Sequence, residues 1–244
     1  MQIVKGRSFY ETKTFANLRE MIQNSGRQYG QLNAFRFRSD PAAEPQSKTY
    51  LEFIDDYQSL GSLLLKLGFS GKNIAVIGEN SYGWCVVHTA VLNGVGVSVP
   101  LDRLLPAGEI ISLLQRGRVS AVFYQDTFHD VMQQAIAQLP GQIRLLCCLN
   151  PEKLTQENAV LYPPAGHGSA VVFDEPVLTD ADRSPVYSRF DDLLEAGLTV
   201  RQTDKSYDTV PIDADAMASL LFTSGTTSAS KAVMLSHRNI CADI

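Results

Sequence analysis

Four short runs of unbroken apolar residues, each followed by a stretch with helical spacing, constrain this chain more than any other feature. They are "NIAVIG" (73–78), "VGVSVPLD" (95–102), "VSAVFYQ" (119–125) and "IRLLCCLN" (143–150). A strand with one wet face alternates polar and apolar residues. One that is apolar throughout is covered on both faces, the situation of parallel strands joined by crossover helices. The intervening segments supply those helices. "ENSYGWCVVHTAVLNG" sets Trp84, Val87, His88, Val91 and Leu92 at helical spacing, with Asn80 as N-cap and Gly94 as stop. Pro106 suits the first turn of a helix carrying Ile110, Leu113 and Leu114, and "FHDVMQQAIAQL" (128–139) forms the next.

Upstream, Tyr50, Phe53, Ile54, Tyr57, Leu60, Leu64 and Leu67 share one helical face, and Thr49 and Glu52 have capping-box spacing. The expected fold class is α/β: a mainly parallel sheet with helices on both faces. Segments 73–78, 96–101, 119–124 and 143–149 are its neighbouring strands, and ligands belong at their carboxyl ends. Residues 151–187 lose all periodicity in Pro, Gly, Asp and Ser, and are expected to be a loop-rich insertion or connection. A helix over 188–197 follows. No internal repeat is present.

Composition narrows the function. The net charge of -5, with no Lys/Arg cluster, argues against a nucleic-acid partner. The longest apolar stretch, residues 85–101, contains His88, Asn93 and helix breakers, so it is a poor membrane span, and the first fifteen residues lack a signal-peptide core. Cys85, Cys147, Cys148 and Cys241 show no C-x-x-C spacing and are expected to be reduced thiols of a cytoplasmic protein. Trp84 is expected in the core.

The chemistry concentrates near residue 225. Thr223, Ser224, Gly225, Thr226, Thr227, Ser228 and Ser230 crowd six hydroxyls and a glycine into eight positions, and Lys231 follows. The alternatives are a flexible linker, a surface turn and a phosphate-binding loop. A linker would not be clamped between the strand-like "MASLLFTS" (217–224) and "AVMLS" (232–236). Hydroxyls, backbone N–H groups and one lysine suit polyphosphate, and no Asp or Glu occurs from Leu220 to Arg238. Gly225 and Lys231 have Walker A separation, but Ser230, Ala232 and the strand-like run after the lysine rule that loop out.

"FTSGTTSASKAVMLSH" (222–237) resembles the phosphate-loop signature T-S-G-T-[TS]-G-x-P-K-G-V of the adenylate-forming enzymes: acyl-CoA synthetases, luciferases and peptide-synthetase adenylation domains. Thr223, Ser224, Gly225, Thr226, Thr227 and Lys231 match in register. Ser228 and Ala232 replace glycines, and Ser230 replaces the usual proline. Ser228 adds cost if its φ must be positive, and Ser230 gives up a rigid turn. "TYLEFIDDYQSLGSLLLKLG" and "NIAVIGENSYGWCVVHTAVLNGVGVSVPLDRLLPAGEI" extend the likeness upstream, and the layout is most similar to long-chain fatty-acid CoA ligases.

The resemblance implies binding of ATP phosphates by Thr223, Ser224, Gly225, Thr226, Thr227, Ser228 and Lys231. It further implies Mg2+, a carboxylic acid substrate, CoA as acceptor, and a substrate contact for His237, although Ser236 and His237 also suffice simply to cap a helix. The family's aromatic-Gly-x-Thr-Glu segment, ribose-binding Asp and small C-terminal domain are absent from these 244 residues. The chain is therefore expected to be part of the large N-terminal domain, inactive alone, and to self-associate through apolar surface. Rival readings are adenylation of an amino or aryl acid, a non-catalytic binding module, and another small-molecule enzyme sharing the turn.

Overall fold

A computed structural model describes residues 13–38, 42–159, 161, 185–223 and 230–243. The chain begins with α1 (Leu18–Tyr29), capped by the Asn17 side chain, and a small antiparallel pair, β1 (Asn33–Phe37) and β2 (Gln46–Thr49). Then come α2 (Tyr50–Lys66), β3 (Lys72–Ile77), α3 (Tyr82–Ala90), β4 (Gly96–Leu101), α4 (Ala107–Arg116), β5 (Val119–Tyr124), α5 (His129–Gln138) and β6 (Leu145–Cys148). The remaining elements are α6 (Gln156–Ala159), β7 (Val186–Arg189), α7 (Phe190–Thr203), α8 (Ser206–Thr209), β8 (Met217–Thr223), β9 (Lys231–Ser236) and α9 (His237–Cys241).

Among the described residues seven strands form one sheet in the order β7-β6-β5-β3-β4-β8-β9, parallel throughout except for the antiparallel β8–β9 hairpin. The four strands expected from apolar runs are thus neighbours in one parallel sheet. Alternate residues go to opposite faces. Ile74, Val76, Ala121, Phe123, Leu145 and Cys147 meet α2, α3 and α7; Ala75, Ile77, Val122, Tyr124, Leu146 and Cys148 meet α4 and α5. That division is why the runs are apolar at every position. It also sends adjacent Cys147 and Cys148 to opposite sides. Burial pushes the Cys147 thiol well up and the Cys148 thiol to about 12, so both stay protonated. All four cysteines are free, and Trp84 packs against the core. No described helix is long and apolar enough to cross a membrane.

Three local readings change. The N-cap of α3 is Ser81, whose hydroxyl accepts from the Trp84 N–H at 3.2 Å, and not Asn80: the hydroxyl one residue later has the correct reach. Pro106 is the N-cap residue of α4 and precedes its first turn. The stretch expected to be loop over 151–187 already holds α6, and its last two residues begin β7, which pairs in parallel with β6. Consequently the helix expected over 188–197 starts at Phe190. β7 escaped notice because "VYSR" is short and half exposed, as suits an edge strand. Residues 160 and 162–184 of that stretch lie outside the described residues.

The capping box of Thr49 and Glu52 starts α2 as expected. What periodicity does not reveal is that α2 is buried on its back as well, because α7 lies across it. Ser59 and Ser62 donate their hydroxyls to their own helix's carbonyls, Asp55 at 2.7 Å and Gln58 at 2.8 Å, so they can be buried without cost. A Cβ on Gly197 of α7 would stand 2.2 Å from the Ser59 carbonyl oxygen, and one on Gly61 would stand 2.2 Å from the Tyr207 ring. Arg201 closes the same seam through Asp55 and, at 2.6 Å, Gln58.

Past α3 the backbone widens into a π-type turn, Val91–Val95, where Gly94 takes a φ of 142° that a side chain would strain. The Arg19 guanidinium fills the space beside it. It donates to the carbonyls of Asn93, Tyr207 (3.0 Å), Asp208 (3.2 Å) and Val210 (2.7 Å), joining α1, the wide turn and the approach to β8.

Substituting Gly197→Val is expected to lower the unfolding free energy by about 2–3 kcal/mol, the cost of overpacking a close helix crossing. Gly108→Ala is the control, because a Cβ there meets nothing within 4 Å. Urea unfolding of both variants checks the prediction; equal stabilities would refute the tight crossing.

Candidate functional site

β8 runs parallel to β4, so its carboxyl end opens on the same rim as the ends of β3, β5 and β6. That rim is where open parallel sheets hold ligands. The return strand β9 pairs Leu221 with Val233, Phe222 with Ala232 and Thr223 with Lys231. Directly opposed residues share a face, so the Thr223 hydroxyl and the Lys231 ammonium leave the mouth of the hairpin on one side. Both are exposed, and Lys231 forms no ion pair among the described residues. As the sequence implied, the lysine opens a strand and not a helix. Ser224, Gly225, Thr226, Thr227 and Ser228, the middle of the expected phosphate loop, lie outside the described residues.

The hairpin is seated on β4 by polar groups. Ser219 donates its hydroxyl to the Ser98 carbonyl at 3.2 Å, and the Ser98 hydroxyl shares a 2.7 Å hydrogen bond with His88 Nδ1 on α3. Ser98 and Ser219 form the paired position of the β4–β8 ladder, and Pro100, two residues on, has no N–H with which to extend it. The Trp84 ring lies against His88, centroids 4.9 Å apart. Burial depresses the His88 pKa to about 4, so the ring is neutral and relays a hydrogen bond without carrying charge.

His237, the expected substrate contact, is buried at the start of α9. Its Nδ1 accepts from the Leu18 N–H at 3.3 Å, and the ring also bonds the Leu92 backbone. Burial lowers its pKa. In this position the imidazole ties α1 and the wide turn to the start of α9. Ser236 makes the capping box of α9 with Asn239, the structural role that residue types alone allowed.

Two features of the rim were not visible in the sequence. A cleft of about 470 Å3 opens beyond β3, β5 and β6, lined by Lys48, Asp56, Tyr82, Gln125 and Asn150 among others. It lies where the strand order reverses around β3, a point fixed by sheet order and not by composition. Within it Asp56 accepts from Lys48 at 3.0 Å and from the Tyr82 hydroxyl at 2.6 Å, which locks the β1–β2 pair against α2 and α3. Burial, then the Asp56 bond, raises the Tyr82 pKa, so the phenol stays protonated. No group of three His, Cys, Asp or Glu side chains among the described residues could hold a metal ion.

The sequence model described as AMP-binding enzyme matches residues 22–244. A chloroplastic long-chain-fatty-acid–acyl-carrier-protein ligase of Arabidopsis thaliana is 24% identical over 235 residues, covering 92% of this chain and 29% of that protein. Long-chain-fatty-acid–CoA ligase 1 of Cavia porcellus is 25% identical over 199 residues, covering 80% of this chain and 25% of its own length. The chain thus spans less than a third of the length of these two relatives. Among solved structures, the A-PCP didomain of carboxylic acid reductase from Segniliparus rugosus in complex with AMP superposes with a TM-score of 0.70 at 19% identity, over 92% of this chain and 32% of that one.

The neutral His88 sets a pH dependence. Its folded pKa, about 4, lies below the unfolded value near 6.5, so the unfolded state binds the proton first. Its contribution, on the order of 3 kcal/mol, is present above pH ~6.5 and is lost as the pH falls towards 4. In His88→Gln, denaturant titrations from pH 7 to pH 4 should show a correspondingly shallower decline; an identical acid slope would place the titration elsewhere.

Proposed function

The chain belongs to the AMP-binding enzymes and is an adenylate-forming enzyme domain; from that premise we propose that it supplies the phosphate-holding part of an ATP-dependent acid–thiol ligase. In this reading a fatty acid is activated as an acyl-adenylate and passed to the thiol of CoA. The fatty-acid assignment is supported by the two relatives named for long-chain fatty acids, and the nucleotide by the AMP in the reductase structure.

One observation carries the reading. Lys231 stands exposed and without an ion pair among the described residues, opposite Thr223, at a hairpin mouth on the carboxyl rim of a parallel sheet. Adenylation asks for this. The substrate carboxylate attacks the α-phosphorus in line while the bond to the leaving pyrophosphate breaks, and the protein's work is positioning and charge stabilisation. A compact ammonium, with the hydroxyls of Thr223, Ser224, Thr226, Thr227 and Ser228 and the backbone at Gly225, would hold the β- and γ-phosphates as they gain charge.

In a chain extended to the length of its relatives, Lys231→Ala is expected to slow adenylation by the equivalent of about 1–3 kcal/mol, the weight of one charge-assisted hydrogen bond. Pyrophosphate exchange, run with a panel of fatty, aryl and amino acids, measures it and identifies the acid class; an unchanged rate would remove Lys231 from the mechanism. The 244-residue chain alone is expected to give no acid-dependent exchange and to bind ATP with a Kd on the order of 1 mM. Exchange above background by this chain would overturn the assignment of only a phosphate-holding role.

A further inference from the structure

Ser230, the residue before β9, is gripped by two side chains of α4 that lie 121 and 114 positions away in the chain. Its hydroxyl donates to Glu109 Oε1 at 2.8 Å, and its carbonyl accepts from Arg116 Nη2 at 2.7 Å. The Arg116 guanidinium also lies over the Phe222 ring, 5.5 Å from its centroid, and so reaches the other arm of the hairpin. Glu109 and Arg116 are about two helical turns apart and share a face of α4. One helix face therefore holds both roots of the loop.

We propose that Glu109 and Arg116 are positioning residues, which fix the backbone at Ser230 and with it the direction in which Lys231 leaves the hairpin. The proposal rests on the phosphate role of Lys231. A serine does not restrict its own φ, as a proline would, and the residue before a lysine that must meet phosphate needs a set geometry. The clasp supplies from outside what the local backbone lacks. It holds the serine by its hydroxyl and its carbonyl, and the Phe222 stacking keeps the guanidinium from swinging into solvent. One acid and one base leave the root with no added net charge, which suits a neighbour of polyphosphate. The alternative is that these contacts only fasten an edge hairpin to the body of the fold.

Amide exchange and ATP titration on the same variants separate the two. Glu109→Leu and Arg116→Leu are expected to speed exchange over residues 230–233 about tenfold and to weaken ATP about fivefold, with the thermal midpoint little changed. Glu109→Gln keeps an acceptor for the Ser230 hydroxyl and should behave as the unaltered chain. Adding Ser230→Pro to Glu109→Leu should restore slow exchange and ATP affinity, because the ring then fixes φ. Unchanged exchange in both leucine variants overturns the clasp. Accelerated exchange with ATP affinity intact, or a thermal midpoint falling in step with it, makes the contacts merely structural and overturns the positioning role. If the unaltered chain binds neither ATP nor inorganic triphosphate, the phosphate role falls, while the exchange rates still decide whether the clasp exists.

Discussion

Two parallel strands cannot be joined by a tight turn, and that constraint shapes everything else in this fold. Each return to the same end of the sheet takes a crossover, and each crossover lays a helix on a face that must be dry. With β3 at the centre, the chain places β4 on one side of it and β5 and β6 on the other, and α2, α3 and α7 are divided from α4 and α5 accordingly. The β8–β9 hairpin is the exception within the sheet. Being antiparallel, its two strands need no crossover helix between them.

Where the sequence was informative, the reason is local. Apolar runs of six residues specify strands because each residue is spoken for by one face or the other, and Thr49 with Glu52 specifies a helix start because the partners are three residues apart. The back of α2 could not be read in the same way. Gln58, Ser59, Gly61 and Ser62 look like a wet face, yet Gln58 is paired with Arg201, the serines bond their own helix, and Ser59 and Gly61 are closely covered by α7 and α8. At the site, the two strands that set Lys231 opposite Thr223 were legible from the apolar runs on either side of the hydroxyl-rich stretch. The cleft and the α4 clasp were not, since their members meet only after the strand order is known. His237 was read from its place after the loop, and its bond to the Leu18 N–H could not be, since the two are 219 residues apart.

Arg19 shows how polar chemistry completes what apolar packing leaves open. A widened turn, the short α8 and the residue after it all present carbonyls inward that lack helix or sheet partners. A guanidinium has five donors in a fixed fork, and here it meets four carbonyls and lies over the Tyr207 ring. Gly94 gives it room: a Cβ there would stand 2.6 Å from Arg19 Nη2. The approach to the hairpin is thus set by a residue in the first helix, which makes the placement of the loop a property of the whole domain.

The sheet order also has a consequence in time. β4 is complete at Leu101, but its partner on the far side begins at Met217. At a synthesis rate of about 5–20 residues per second, the growing chain carries that bare edge for roughly 6–23 s before β8 can cover it. An unpaired strand beside a nearly finished core is a template for other chains. During those seconds the ladder-interrupting Pro100 is a safeguard, denying neighbouring nascent chains the continuous row of donors on which to assemble.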